Sequence, residues 1–117
     1  MTPDDMVVVD SEGKIIEGDR GPSSDTASHL YVYRRRDDIR SIVHTHSTFA
    51  TAWAATGQDI PYSLAAVADE FGGPVPCAGY AHIGTEQIGE QVMRFIDQCP
   101  ACLLYTSPSP RDKRQSR

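Results

Sequence analysis

Cysteine is scarce in this chain, and so are aromatic residues and long apolar runs. Only three of 117 residues are cysteines: Cys77, Cys99 and Cys102. That is too few, and too unevenly spaced, for the disulfide framework of a small secreted domain, so a reducing, cytoplasmic setting is predicted. No apolar run approaches the roughly 20 residues that cross a bilayer, which predicts no contact with a membrane. The opening Met1-Thr-Pro-Asp-Asp has neither the basic nor the apolar region of a signal peptide. Positive charge is also in deficit. Eleven Lys and Arg stand against 16 Asp and Glu, a net charge of −5, which argues against a nucleic-acid binder. Apolar residues make up 39%, low for a complete globular chain but above the disordered range.

The charge is unevenly spread. Residues 102–117 carry a net +3, which leaves −8 on residues 1–101. The run Cys102-Leu-Leu-Tyr-Thr-Ser-Pro-Ser-Pro-Arg-Asp112 matches, residue for residue, one reading frame of a transposon-end adapter used in DNA sequencing. Residues 1–101 are therefore expected to form one partial domain, and residues 102–117 a separate non-native or disordered tail. Cys99-Pro-Ala-Cys102 spells C-x-x-C. It follows an amphipathic helix instead of opening one after a strand, so it is read as coincidence rather than as a redox motif.

Between these ends the pattern alternates. Met6-Val-Val-Val-Asp10 and Lys14-Ile-Ile-Glu17 flank a glycine-containing turn and predict a β-hairpin. Ser23 or Ser24 suits the N-cap of a helix running to Arg36, with Leu30, Tyr31 and Tyr33 as candidate buried positions. Ser41-Ile-Val-His-Thr-His46 is β-branched and compact, which predicts a buried strand. Ser47 or Thr48 caps a second helix that Gly57 ends. Residues 64–68 fit strand or helix. Gly72-Gly-Pro-Val-Pro76 reads as a turn leading to an extended segment, and Thr85 caps a third helix with Ile88, Val92, Phe95 and Ile96 at helical spacing. Strands alternating with helices make the class α/β, and no internal repeat is visible.

The chemistry centres on His44-Thr-His46. On a strand, residues i and i+2 share a face, so two imidazoles would stand side by side. Such a pair can ligate one divalent metal, although catalytic zinc sites usually add a third protein ligand. H-x-H alone also suits an unrelated hydrolase, or two histidines with no metal at all. Ser23-Ser-Asp25 places two hydroxyls and free backbone N–H groups at a helix start, which suits either an anion site or an ordinary cap. Asp25 could be cap, metal ligand or acid/base. His29, one turn on, could share its face and reads as packing or as support for the site.

Taken together, Pro22-Ser-Ser-Asp-Thr-Ala-Ser-His29, Ile42-Val-His-Thr-His-Ser47 and Ala50-Thr-Ala-Trp-Ala54 resemble the core of the class II aldolase and L-ribulose-5-phosphate 4-epimerase family. Asp4-Asp-Met-Val-Val-Val9, Ala68-Asp-Glu-Phe-Gly-Gly73 and Pro74-Val-Pro-Cys77 extend the likeness to about residues 2–98. Asp25 and Cys77 resemble the epimerase branch; the aldolases carry glutamate where Asp25 stands.

The resemblance implies a three-layer α/β/α sandwich with a mixed central sheet, and a homotetramer with active sites at subunit interfaces. It implies Zn²⁺ or another divalent metal held by His44, His46 and Asp25, with Ser23 and Ser24 on the substrate phosphate. Asp69 and Asp25 would be the catalytic carboxylates. Ala66-Val67 depart from the epimerase pattern, which has a histidine just ahead of that aspartate, and Glu70 replaces an aromatic. The implied activity is epimerisation of a sugar phosphate by retro-aldol cleavage and re-addition. The alternatives are a fuculose-phosphate-type aldolase, or a non-catalytic domain like the adducin head. A third zinc histidine would be expected downstream of residue 101, and a Gly-Asn phosphate loop ahead of Asp4. The chain alone is therefore expected to bind metal weakly and not to turn over substrate.

Overall fold

A computed structural model describes residues 2–106 of the chain. A short 3₁₀ turn, Pro3–Asp5, leads into the hairpin. Its strands, β1 (Val8–Val9) and β2 (Ile15–Glu17), pair antiparallel. Asp10 builds the turn between them, its carboxylate accepting from the N–H groups of Glu12 and Lys14 at 2.9 Å each, the local bonding for which aspartate is favoured in turns.

Helix α1 spans Thr26–Tyr33, with Asp25 in the N-cap position. The cap therefore falls one residue beyond the serines expected to hold it, and Asp25 makes no side-chain cap bond. The buried face differs as well. Ser28 and Val32 are buried, while Leu30 and Tyr31 are half-buried and Tyr33 is exposed. The reason is the partner helix. α4 (Gln87–Met93) presents Gly89 to α1, where a Cβ would lie 2.8 Å from both Ser28 O and Tyr31 Cβ. The missing Cβ leaves room at the contact for the Ser28 carbonyl and the inner side of the Tyr31 ring, which is therefore only half-buried. The Ser28 hydroxyl donates to Thr85 O at 2.9 Å, which satisfies a polar group inside this contact.

Helix α2 (Thr48–Ala54) starts as expected, with Ser47 Oγ accepting from Ala50 N, and ends before Gly57 at φ +69. Residues 65–71 resolve as helix: α3 (Ala65–Phe71) stops at Gly72 in the left-handed conformation. Strand β3 (Cys77–Ala81) pairs parallel with β4 (Leu103–Thr106). A core cluster of Ala54, Val75 and Leu103 joins α2, the segment before β3, and β4, with Val67 and Phe71 of α3 packed on it. The pairings are of both senses, antiparallel in the hairpin and parallel in β3–β4, and form two separate two-stranded sheets among the described residues.

The expected strand over residues 41–46 pairs with no neighbour among the described residues. Nor is it buried throughout: Val43 is 84% exposed. Its β-branched composition supplies preference only, and a strand also needs a neighbour to complete its ladder. The period-two alternation survives nonetheless, with Ile42 and His44 half-buried and Val43 and Thr45 exposed. At the other end, the boundary drawn at residue 102 falls just before β4, whose Leu103 is buried in the core cluster. Residues 103–106 thus form a strand of the sheet. The rest of the expected tail, residues 107–117, lies outside the described residues.

Gly89 tests the α1–α4 contact. Gly89→Ala gains about 1 kcal/mol of helix propensity but forces a backbone-lined clash of the kind that costs about 1–3 kcal/mol. A lowered urea midpoint is expected, and an unchanged or raised midpoint would show that the helices separate easily. Gly72→Ala, with open space around it but φ +72, should lose only about 1–2 kcal/mol from the backbone term.

Candidate metal centre

Asp25 stands at the start of α1, and His44 and His46 in the unpaired segment before α2. Their donor atoms, one carboxylate oxygen and two ring nitrogens, all lie within 4.8 Å of one another. The two rings are 4.9 Å apart between centroids and tilted by 31°, as expected for side chains at i and i+2 projecting to one side. Asp25 and His44 are half-buried and His46 is exposed, so the cluster is reachable from solvent. Two imidazoles and a carboxylate are a donor set that suits Zn²⁺ and similar ions, with room left for further ligands.

Ser23 organises Asp25. The Asp25 N–H donates to Ser23 Oγ at 3.2 Å, and the Ser23 hydroxyl reaches Asp25 Oδ2 at 3.4 Å. Ser24, between them, is exposed. Both serines therefore sit beside the cluster. Asp69 does not join it: it is exposed on α3, outside the group of converging donors. His29 lies behind the cluster, half-buried on α1. Burial pushes its imidazole below the ordinary histidine value; Asp25 opposes that shift and His44 adds to it.

The cysteines behave differently from a redox pair. All three are free. Burial, with smaller contributions from Cys99 and Cys77, pushes the Cys102 thiol up to about 11. Burial and then the nearby Asp59 push Cys77 up as well. A redox-active cysteine needs the opposite shift.

These features define an α/β domain carrying a His/His/Asp cluster able to hold a metal ion, beside a serine-rich helix start. The family described as "Class II Aldolase and Adducin N-terminal domain" matches residues 1–106, and the chain belongs to it. Among solved structures, one described as "L-fuculose 1-phosphate aldolase" is similar at a TM-score of 0.79 with 36% identity. The match covers 89% of this chain and 49% of that one, so the chain spans about half the length of that aldolase. The fold is that of the class II aldolases. No helix among the described residues is long and apolar enough to cross a membrane.

Thiol chemistry checks the cysteine environment. At pH 8 Cys102 should react with an aromatic disulfide reagent roughly 10- to 100-fold more slowly than an exposed thiol, because so little of it is thiolate. Peptide mapping by mass spectrometry separates the three sites. Rapid labelling of Cys102 would contradict its burial.

Proposed function

We propose that this chain is the metal-binding part of a zinc-dependent enzyme that breaks and re-forms a carbon–carbon bond in a sugar phosphate. The observation that carries the reading is the convergence of Asp25, His44 and His46 within 4.8 Å. The adducin-head alternative requires no such set. Bound there, zinc supplies Lewis-acid stabilisation of the negative charge that develops on the ketose oxygens as the C3–C4 bond breaks.

The chain's own residues do the rest. Ser23 and Ser24 offer hydroxyls and backbone N–H groups to the substrate phosphate at the start of α1. This orients the sugar relative to Asp25 and the histidines. As C3–C4 opens, the electron pair stays on C3 and the C4 hydroxyl loses its proton to form the aldehyde. A nearby base must take that proton, and we assign this to Asp69. Asp69 is not one of the converging donors; in a homotetramer with sites between subunits, a second copy would bring it to the centre.

If the aldehyde turns before it re-adds, the result is the C4 epimer; if it leaves, the result is cleavage. Asp25 and Cys77 favour the epimerase outcome on a pentose phosphate. The solved fuculose-phosphate aldolase favours cleavage. Both share the same bond-breaking step.

Phosphoglycolohydroxamate imitates the planar, two-oxygen fragment left when that bond breaks, and it carries a phosphate. Calorimetric titration into the Zn²⁺-loaded chain should show binding that vanishes with chelator and weakens roughly tenfold in a Ser23→Ala, Ser24→Ala double variant. Equal affinity with and without metal would overturn the enzyme reading in favour of a binding module.

A further inference from the structure

Two buried side-chain polar atoms lack a hydrogen-bond partner among the described residues, His29 Nε2 and Gln91 Oε1. The second faces Gly79, where α4 meets β3. The first needs a different explanation, because a ring nitrogen shut off from solvent and left unpaired costs about 1–3 kcal/mol.

His29 is placed where such a cost has a use. It is four residues after Asp25, joined to it by the backbone bond His29 N to Asp25 O at 3.1 Å. Side chains at i and i+4 of a helix are neighbours on one face. Ser28, next to it, is committed to Thr85 O, and Val32 is buried, so the helix is held and His29 cannot swing away with it. Asp25, for its part, accepts only one side-chain hydrogen bond among the described residues, the 3.4 Å contact from Ser23 Oγ. Its carboxylate has lone pairs to spare. His29 is itself absent from the converging donor group.

We propose that His29 is a positioning residue for the metal centre: its unpaired Nε2–H is the donor that fixes the Asp25 carboxylate when that carboxylate turns to a bound cation. This inference rests on the metal reading above. Hydrogen-bond donors behind metal-ligating carboxylates typically govern metal affinity by about 10- to 100-fold.

The test uses Co²⁺ as the probe, titrated into the full 117-residue chain and followed by its visible d–d absorption. His29→Phe keeps a planar ring and removes the donor; His29→Gln keeps an N–H near the position of Nε2. His29→Phe should weaken Co²⁺ binding by at least about tenfold and shift the d–d band, while His29→Gln stays within about threefold of the unaltered chain. Urea midpoints of both variants control for folding. Equal affinity and an unchanged band for His29→Phe would overturn the inference and leave the metal centre standing. So would equal losses in both variants, which would mark a packing role. If the unaltered chain bound no Co²⁺, the metal reading would fall and take this inference with it.

Discussion

The seat of α1 against α4 is the constraint on which the site depends. Asp25 is presented by the first turn of α1, so its position is no better fixed than that helix. Gly89 lets the two helices approach until a Cβ would clash at 2.8 Å, and the buried Ser28–Thr85 bond sets their register. Ion pairs surround the same contact, Arg34 to Glu86 at 2.9 Å and Arg36 to Asp97 at 2.6 Å. Their acidic partners stand open to solvent, Asp97 at 82%, and pairs open to solvent contribute little. The short-range packing and the buried hydrogen bond therefore dominate. The Arg34 guanidinium also donates to Ser11 O, which brings the hairpin onto the same helix.

From that seat the chemistry follows in a short chain of causes. Ser23 holds the backbone and carboxylate of Asp25, and the alternation of residues 42–46 puts His44 and His46 side by side. The two segments then meet with donor atoms inside 4.8 Å. Exposure is graded across the group, from half-buried Asp25 and His44 to exposed His46. The group is therefore open to solvent on the His46 side.

Much of this was legible in the residues. The hairpin, the α2 cap at Ser47 and the glycine stop at Gly57 follow from local chemistry that reads directly from sequence. The side-by-side placing of His44 and His46 did too, because His-x-His puts both rings on one side of an extended backbone. What was not legible depended on partners. The pairing of residues 41–46 needs a neighbouring strand, and composition does not supply one. The buried face of α1 was set by its contact with α4 at Gly89, 61 residues beyond Ser28, which leaves Ser28 and Val32 buried, Leu30 and Tyr31 half-buried and Tyr33 exposed. The sheet role of Leu103 came from its register against Cys77, which a match to an adapter reading frame could not reveal. Asp69 was chosen by resemblance, and it lies outside the group of converging donors.

The central claim is that Asp25, His44 and His46 form one divalent-metal site. Isothermal titration of Zn²⁺ into the chain, beside a His44→Ala, His46→Ala double variant of matched circular dichroism, tests it most directly. The account expects one ion per unaltered chain and none in the double variant. Equal uptake by both, or no uptake by either, would contradict it.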